Sequence, residues 1–366
     1  MKIWDAIVVG AGPAGCACAY DLASSGKSVL LLDKADFPRV KACAGGLTMK
    51  TVRALRYSVE PVVRQTISKI VLEERDTSRV PVRSRKSICV MTVRAELDAY
   101  CLKKTIEAGA SFKRISGLGS ITQDEDGVTV AAYDTVFRGR FLIGADGVNS
   151  QVRRMTGDAP WFKKGLAIEV DVRRNASGDD LVFDFAPVAQ GYGWVFPKYD
   201  HVNIGLYSID SNEDLSRGRV AAYVAHRFGV EAKTEKFIGQ YVGFGAAQFS
   251  GRSGRVLLVG DAGGFVDPLT GEGIYGAITS GQAAAKAITG ASNDGAVFET
   301  FLRLTSALRQ NLRIAERVAV SFYSNPERGF RAMKMPLLRS AILKSYADGF
   351  NLSGLVNVAR RVLPRS

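Results

Sequence analysis

Gly10, Gly12 and Gly15 stand in the run Asp5-Ala-Ile-Val-Val-Gly-Ala-Gly-Pro-Ala-Gly15, and the next apolar run, Val29-Leu-Leu-Leu32, ends on Asp33. A buried-type strand, a glycine-rich turn, a helix start and an acid closing a second strand together form the pattern of a dinucleotide site. The first glycine permits a tight turn, the second admits a pyrophosphate close to the backbone, and the third lets helix and strand touch. Asp33 is placed to accept ribose hydroxyls, and the helix N-terminal amides are placed to hold phosphate. The rival reading is a secretory signal, because residues 6–19 are apolar and end in Ala-Cys-Ala. Asp5 interrupts the charged start such a signal needs, and cleavage would remove the turn that Asp33 serves, so none is expected.

Two further acids follow apolar strands, in Gly144-Ala-Asp146-Gly147 and Val259-Gly260-Asp261-Ala-Gly-Gly264. The second leads into Asp267-Pro-Leu-Thr-Gly271-Glu-Gly273-Ile274 at the head of a helix. Asp261 could bind a ribityl hydroxyl, and the amides near Gly271 and Gly273 could face an electron-rich ring or a phosphate. Taken singly, each acid reads equally well as an ordinary strand-to-turn Asp-Gly.

Around these motifs, residues 5–33 read as strand, helix and strand, with Gly26 closing the helix. Residues 34–50 form a loop of small residues, 94–108 an amphipathic helix ending at Gly109, and 137–146 a returning strand. From about 160 to 250 the pattern changes to short strands and turns, at 166–172, 180–185, 193–197 and 201–207, which predicts an antiparallel sheet. Residues 255–260 form a strand, an Ala-rich helix follows Gly273, and 297–350 reads as helical. The expected fold is therefore α/β: a Rossmann-like nucleotide domain from 1–60, 90–160 and 251–296, an antiparallel-sheet substrate domain from 61–89 and 161–250, and a C-terminal helical region over 297–366.

The 366 residues, 46% hydrophobic and 23% charged, suffice for two or three globular units. No apolar run reaches the ~20 residues that span a bilayer. Five cysteines without paired CxxC spacing support neither a disulfide framework nor a zinc site, and two histidines, His201 and His226, leave little material for a metal centre. No metal is expected, and the setting reads as reducing and cytoplasmic. Of the net charge of +13, much lies after residue 302, where twelve Lys and Arg face three acids. That surplus fits an anionic membrane surface or an acidic partner, and equally a solvated helical face. Nucleic acid is not expected, since the basic stretch lacks interleaved aromatic stacking residues.

Together these motifs resemble the two-domain FAD-dependent reductases and hydroxylases, and within them the geranylgeranyl reductase family, over roughly residues 3–290. Lys41-Ala-Cys43-Ala44-Gly45-Gly46 resembles that family's Lys-x-Cys-Gly-Gly loop beside the isoalloxazine ring, with Ala44 where glycine is usual. Tyr192-Gly-Trp194-Val-Phe196-Pro197 resembles its substrate-lining strand. The resemblance implies that Gly10, Gly12, Ala14, Gly15, Asp33 and Lys34 hold the ADP half of FAD. It implies that Cys43, Ala44, Gly45, Gly46, Arg94, Asp146, Gly260, Asp261, Gly271, Gly273 and Ile274 complete the cofactor site. Cys43, Tyr192 and Trp194 are then the catalytic candidates.

Reducing an unactivated double bond needs a hydride at one carbon and a proton at the other, in a dry cavity. Cys43 could supply that proton; its plain alternative is a small buried hydrophobe. Cys16 and Cys18 fall on the first helix and are assigned to packing. Tyr192, Trp194 and Phe196 alternate, so they share one strand face; without the resemblance that face is ordinary sheet core, with it a wall for a long apolar isoprenoid. No second GxGxxG follows a strand, so reducing equivalents would come from transient NAD(P)H or a ferredoxin. Segments 318–323 and 336–343, apolar with interspersed basic residues, fit peripheral attachment to the inner face of a membrane as well as helices capping the substrate domain. Two alternatives remain: a flavin monooxygenase or halogenase, for whose lysine Lys69 and Lys86 are in range, and an electron-transfer flavoprotein.

Overall fold

The computed structural model describes residues 2–74, 78–157, 162–229, 236–246 and 254–335. In chain order the first elements are β1 (Ile3–Val9), α1 (Pro13–Ser24), β2 (Val29–Asp33), β3 (Gly46–Thr48), α2 (Met49–Ala54), β4 (Val63–Ile67), β5 (Lys69–Glu74), β6 (Ser78–Arg83), β7 (Cys89–Thr92) and α3 (Arg94–Glu107). There follow β8 (Ser111–Arg114), β9 (Leu118–Gln123), β10 (Val128–Ala132), β11 (Val136–Gly144), α4 (Gln151–Thr156), β12 (Lys163–Arg173), β13 (Leu181–Asp184), β14 (Gly191–Pro197) and β15 (His201–Ser208). The chain continues through α5 (Arg217–Phe228), β16 (Ile238–Phe244), β17 (Val256–Leu258), α6 (Ile274–Gly290), α7 (Val297–Ser324) and α8 (Pro326–Met333).

Ala6–Val9 and Val29–Leu32 are apolar at every position because their strands are covered on both faces, as parallel strands in α/β sheets are. They belong to a seven-stranded sheet in the order β8-β2-β1-β11-β10-β9, with β17 also beside β11. The first half of β11 pairs with β10 and its last residues, Leu142–Gly144, pair in parallel with β17. Strands β1, β11 and β17 are thus parallel neighbours, and the turns holding Gly10, Asp146 and Asp261 leave the same sheet edge. That edge is where ligands settle on doubly wound sheets.

The second seven-stranded sheet runs β16-β12-β15-β14-β13-β5-β6. The sequence predicts it as antiparallel; one pair, β5 with β13, is parallel. The cause is the connection: between β6 and β13 the chain returns to the nucleotide sheet, and parallel neighbours need such a long crossover. Its faces alternate as a half-covered sheet requires. Val170, Val195, Ile204 and Leu206 pack with Val220 and Val224 of α5, whereas Phe183, Tyr192, Trp194 and Tyr207 form a cluster on the other face.

A small sheet, β3-β7-β4, sits between the two and anchors the 41–46 loop. Helix α7 ties the halves together: Val297, Phe298 and Phe301 join the nucleotide core, Ala319 and Tyr323 the core of the second sheet. Segment 318–323 therefore packs as a capping helix, with Val320 exposed. Segment 336–343 and the basic residues after it lie outside the described residues. No helix among the described residues is long and apolar enough to cross a membrane.

Close approach of α1 to α6 depends on Gly281, where an added Cβ would stand 2.3 Å from the Ala14 carbonyl oxygen. Both partners there are backbone, so neither can rotate away. Gly281→Ala is expected to cost about 1–3 kcal/mol, the usual penalty of overpacking, read as a lower urea midpoint with unchanged slope.

Candidate active site

The three turns at the sheet edge open into a cavity of about 630 Å³ between the two large sheets. On the nucleotide side, Asp33 accepts hydrogen bonds from the amides of Ala11 (2.7 Å) and Ala35 (2.9 Å), which fixes the glycine turn before any ligand arrives. Gly10 has φ +106° and lies so near β11 that an added Cβ would stand 2.3 Å from the Ala145 carbonyl oxygen. Gly15 rests on the Gly10 carbonyl and Gly260 against the Ala14 Cβ. These two glycines set spacing behind the wall and do not line the cavity, whereas Gly10, Gly12, Ala14, Asp33 and Lys34 do. Lacking side chains, Gly15 and Gly260 let elements close up, which for Gly15 is the packing part expected of the third glycine of the turn.

Asp146 lines the cavity, but its carboxylate accepts from Ser150 Oγ (2.5 Å) and from the amides of Gln151 (2.6 Å) and Val152 (3.1 Å). It caps α4, and α4 in turn positions Arg153, which donates to the carbonyls of Ala262 and Val148. The second turn and the third are thereby locked together. Asp261 lines the cavity with burial holding its carboxyl above the ordinary range, against the pull of Lys41.

Arg94 forks onto Asp98 with two 2.9 Å bonds and also contacts Cys43. Arg39, which the sequence reading missed, pairs with the same Asp98 at 3.1 Å. Its Nε is buried with no hydrogen-bond partner, and its Nη2 lies 3.5 Å from where a Gly12 Cβ would be. A buried, unsatisfied guanidinium NH beside the glycine turn is the complement of a phosphate oxygen. The residues therefore fit FAD: the glycine turn and Arg39 would hold the pyrophosphate, Asp33 the ribose, Asp261 the ribityl arm, and the 41–46 and 271–274 segments the ring.

Gly45, at φ +71°, bends the 41–46 loop so that its carbonyl accepts from the amide and Oγ1 of Thr92, both at 2.8 Å. That bend leaves Cys43 half-buried at the cavity, its sulfur accepting from the Gly45 amide at 3.4 Å. Ala44, Gly45 and Gly46 line the cavity with it, and Lys41 reaches Gln240 at 2.5 Å. Cys16 and Cys18, by contrast, are 1% and 0% exposed within α1, where burial raises both thiols.

Opposite stands an aromatic wall of Phe183, Tyr192, Trp194 and Phe196, joined edge to face with ring centroids 5.3 to 6.2 Å apart. Trp194 lies over Gly205, the space its ring needs, and donates to Asn203 at 2.7 Å. The Tyr192 hydroxyl donates to the Thr270 carbonyl at 2.5 Å. Tyr207 donates to Pro268 and Tyr323 to Leu269 in the same way. Three tyrosines from β14, β15 and α7 thus fasten three successive carbonyls of the loop that presents Gly271, Gly273 and Ile274 to the cavity. Glu272 fixes its other side through Thr48 (2.6 Å) and Lys50 (2.7 Å).

Glu169 is the second residue that sequence reading missed. It lines the cavity from β12, is 7% exposed, and accepts from the Cys43 amide at 2.8 Å. No signal in the strand marks it: Glu169 shares its face of β12 with Lys163, Asp171 and Arg173, the pattern of a solvated face, and only packing buries it. Burial pushes its carboxyl up to about 7, against the Cys43 amide and the Lys198 ammonium, which pull it down. A raised carboxyl pKa makes the folded state bind the extra proton, so stability falls as pH rises from the unfolded-state value to about 7. Relative to Glu169→Gln, the wild type is expected to lose on the order of 3 kcal/mol across that window, measured by urea unfolding at its two ends.

Residues 4–302 match the FAD binding domain family. An uncharacterized protein of Methanosarcina barkeri is 32% identical, over 89% of this chain and 85% of that protein. A chloroplastic geranylgeranyl diphosphate reductase of Oryza sativa is 28% identical, over 79% and 67%. In fold, the chain is similar to a geranylgeranyl bacteriochlorophyll reductase-like protein of Thermoplasma acidophilum, with TM-score 0.76 and 19% identity over 99% and 100% of the two chains. A flavin-dependent brominase reaches TM-score 0.75 at 17% identity over 99% of each chain, so this fold is shared with halogenases. The chain belongs to the FAD-binding domain family and is an oxidoreductase of the geranylgeranyl reductase-like kind.

Proposed function

We propose that this protein is an FAD-dependent reductase that saturates C=C bonds of a geranylgeranyl or longer polyprenyl chain carried on a lipid, quinone or pigment precursor. The observation that carries this reading is the pair of unlike walls: the glycine turns and Arg39 on one side, Phe183, Tyr192, Trp194 and Phe196 on the other, with Cys43 between. The glycine turns, Arg39, Asp33 and Asp261 would hold FAD, which in its reduced form would supply the hydride. The aromatic wall shuts out water and seats the apolar chain, and Cys43 holds the proton for the second carbon. The Tyr192 hydroxyl is engaged with Thr270, so its part is to hold the ring-facing loop and lend its ring to the wall.

The halogenase reading gains nothing from the lysines in range. Lys69 is paired with Asp180 at 2.8 Å, and neither it nor Lys86 lines the cavity. Reducing equivalents would come from NAD(P)H or a ferredoxin, and the basic stretch of sequence after residue 302 suits an acidic carrier or anionic headgroups at the inner face of a membrane.

Anaerobic mixing of the photoreduced holoprotein with geranylgeranyl compounds is expected to reoxidise the flavin, with product heavier by two hydrogens per bond. A flavin that stays reduced with every polyprenyl compound, or that is reoxidised only by oxygen with halide incorporated, defeats the reading. Cys43→Ser is expected to slow the reduction ~100-fold with an unchanged flavin spectrum. Tyr192→Phe should retain most of the rate and lose about 1 kcal/mol of stability.

A further inference from the structure

Among the cavity groups, Glu169 has no part in holding the cofactor or in the aromatic wall, yet the fold keeps it buried against the 41–46 loop. Its surroundings are polar on every packed side. The Cys43 amide meets it at 2.8 Å from that loop. Lys198, 2% exposed, faces it from the turn after β14, and its ammonium is 3.2 Å from where a Gly45 Cβ would be. Asn203 faces it from β15, and Asp171 lies two residues on along its own strand. Asn203 is itself fixed, accepting from Trp194 at 2.7 Å and donating to Asp171 at 2.9 Å. On the neighbouring strand β16, Gln240 holds Lys41.

A carboxyl half-loaded with a proton near neutral pH is suited to proton delivery. Buried charge is expensive, so only a use or a strong partner keeps such a group in place. Lys198 attracts the carboxylate, and no ion pair forms between the two among the described residues.

We propose that Glu169 is the internal acid of this site: bonded to the main-chain amide of Cys43 and lining the same cavity, its carboxyl, with bulk water shut out, returns a proton to the Cys43 sulfur, directly or through one held water, after the thiol has protonated a substrate carbon. The step rests on the reduction reading above. The alkene π bond breaks, one carbon gains a hydride, and the other gains the proton of Cys43 Sγ–H. The O–H bond of Glu169 then breaks as S–H re-forms, and the carboxylate recovers a proton from solvent when product leaves. The two electrons come from a pyridine nucleotide or an iron–sulfur protein through the cofactor. Glu169 acts through Cys43 and is in that sense a positioning residue.

The test uses the flavin-loaded wild type, Glu169→Gln and Glu169→Asp. Infrared titration of the wild type should show a protonated-carboxyl band that fades near neutral pH and is missing from Glu169→Gln. The pH profile of Cys43 alkylation by iodoacetamide, followed by mass spectrometry, should carry the same inflection in the wild type only. With a geranylgeranyl substrate, Glu169→Gln should be slowed ~10- to 100-fold below neutrality and lose the inflection, with Glu169→Asp intermediate. A wild-type carboxyl that stays ionised between about pH 5 and 8 overturns the proposal, and so does a Glu169→Gln profile matching the wild type. If Glu169→Gln fails to bind flavin, the wild-type titration and Glu169→Asp decide. Should the wild type reduce no prenyl compound, the reduction reading falls, while alkylation still decides whether Glu169 and Cys43 are coupled.

Discussion

The first turn of α1 is held at backbone contact from three sides, and the site depends on that. Gly15 rests on the Gly10 carbonyl, Gly281 of α6 on the Ala14 carbonyl, and Gly260 after β17 against the Ala14 Cβ. A side chain at any of these positions would push apart elements whose spacing defines the cavity wall. The run Ala14-Gly-Cys-Ala-Cys-Ala19 is small throughout for the same reason: the helix is covered nearly all round, so amphipathicity gives way to close packing. Three parallel strand ends are thereby brought to one edge, with their turns and amides aimed at a common ligand.

Across the cavity the constraint is of another kind. The loop 267–273 carries carbonyls that β-structure would otherwise pair, and tyrosine hydroxyls supply the partners. Tyr192 and Tyr207 also line the cavity with their rings, whereas Tyr323 packs in the core behind, so one residue type fixes the loop and in two of three cases also dries the cavity. Because Tyr323 comes from α7, the described part of the C-terminal helical segment is integral to the site.

Within this apolar wall a small polar group persists at the Cys43 loop. Asp98 gathers Arg94 and Arg39 on one side of that loop, and Glu169 receives its amide on the other. The loop is thus held between a cationic cluster and a reluctant carboxylate. Such a contrast over a few ångströms sets oppositely perturbed groups side by side in a single cavity.

Much of this was legible in the chain. Gly10 through Asp33 prescribes a strand, a turn and a helix because each glycine answers a local steric demand, and the alternation of Tyr192, Trp194 and Phe196 prescribes a shared face. Local rules of this type reach as far as a strand and its turn. They anticipate the packing part of Gly15 but not that Gly260 meets Ala14 from across the fold, and they leave open what Asp146 and the Tyr192 hydroxyl do, because a hydrogen bond is assigned only when its partner is near. Arg39 and Glu169 escaped for the same reason: neither lies in a motif, and each acquires meaning from a residue far along the chain, Asp98 for one and Cys43 for the other. The sequence by itself determined the elements and the dinucleotide turn, since those follow from backbone sterics and periodicity. Which side chains are buried beside which, and hence which carboxyl keeps its proton, was decided only by tertiary packing, because desolvation and pairing depend on neighbours brought together in space.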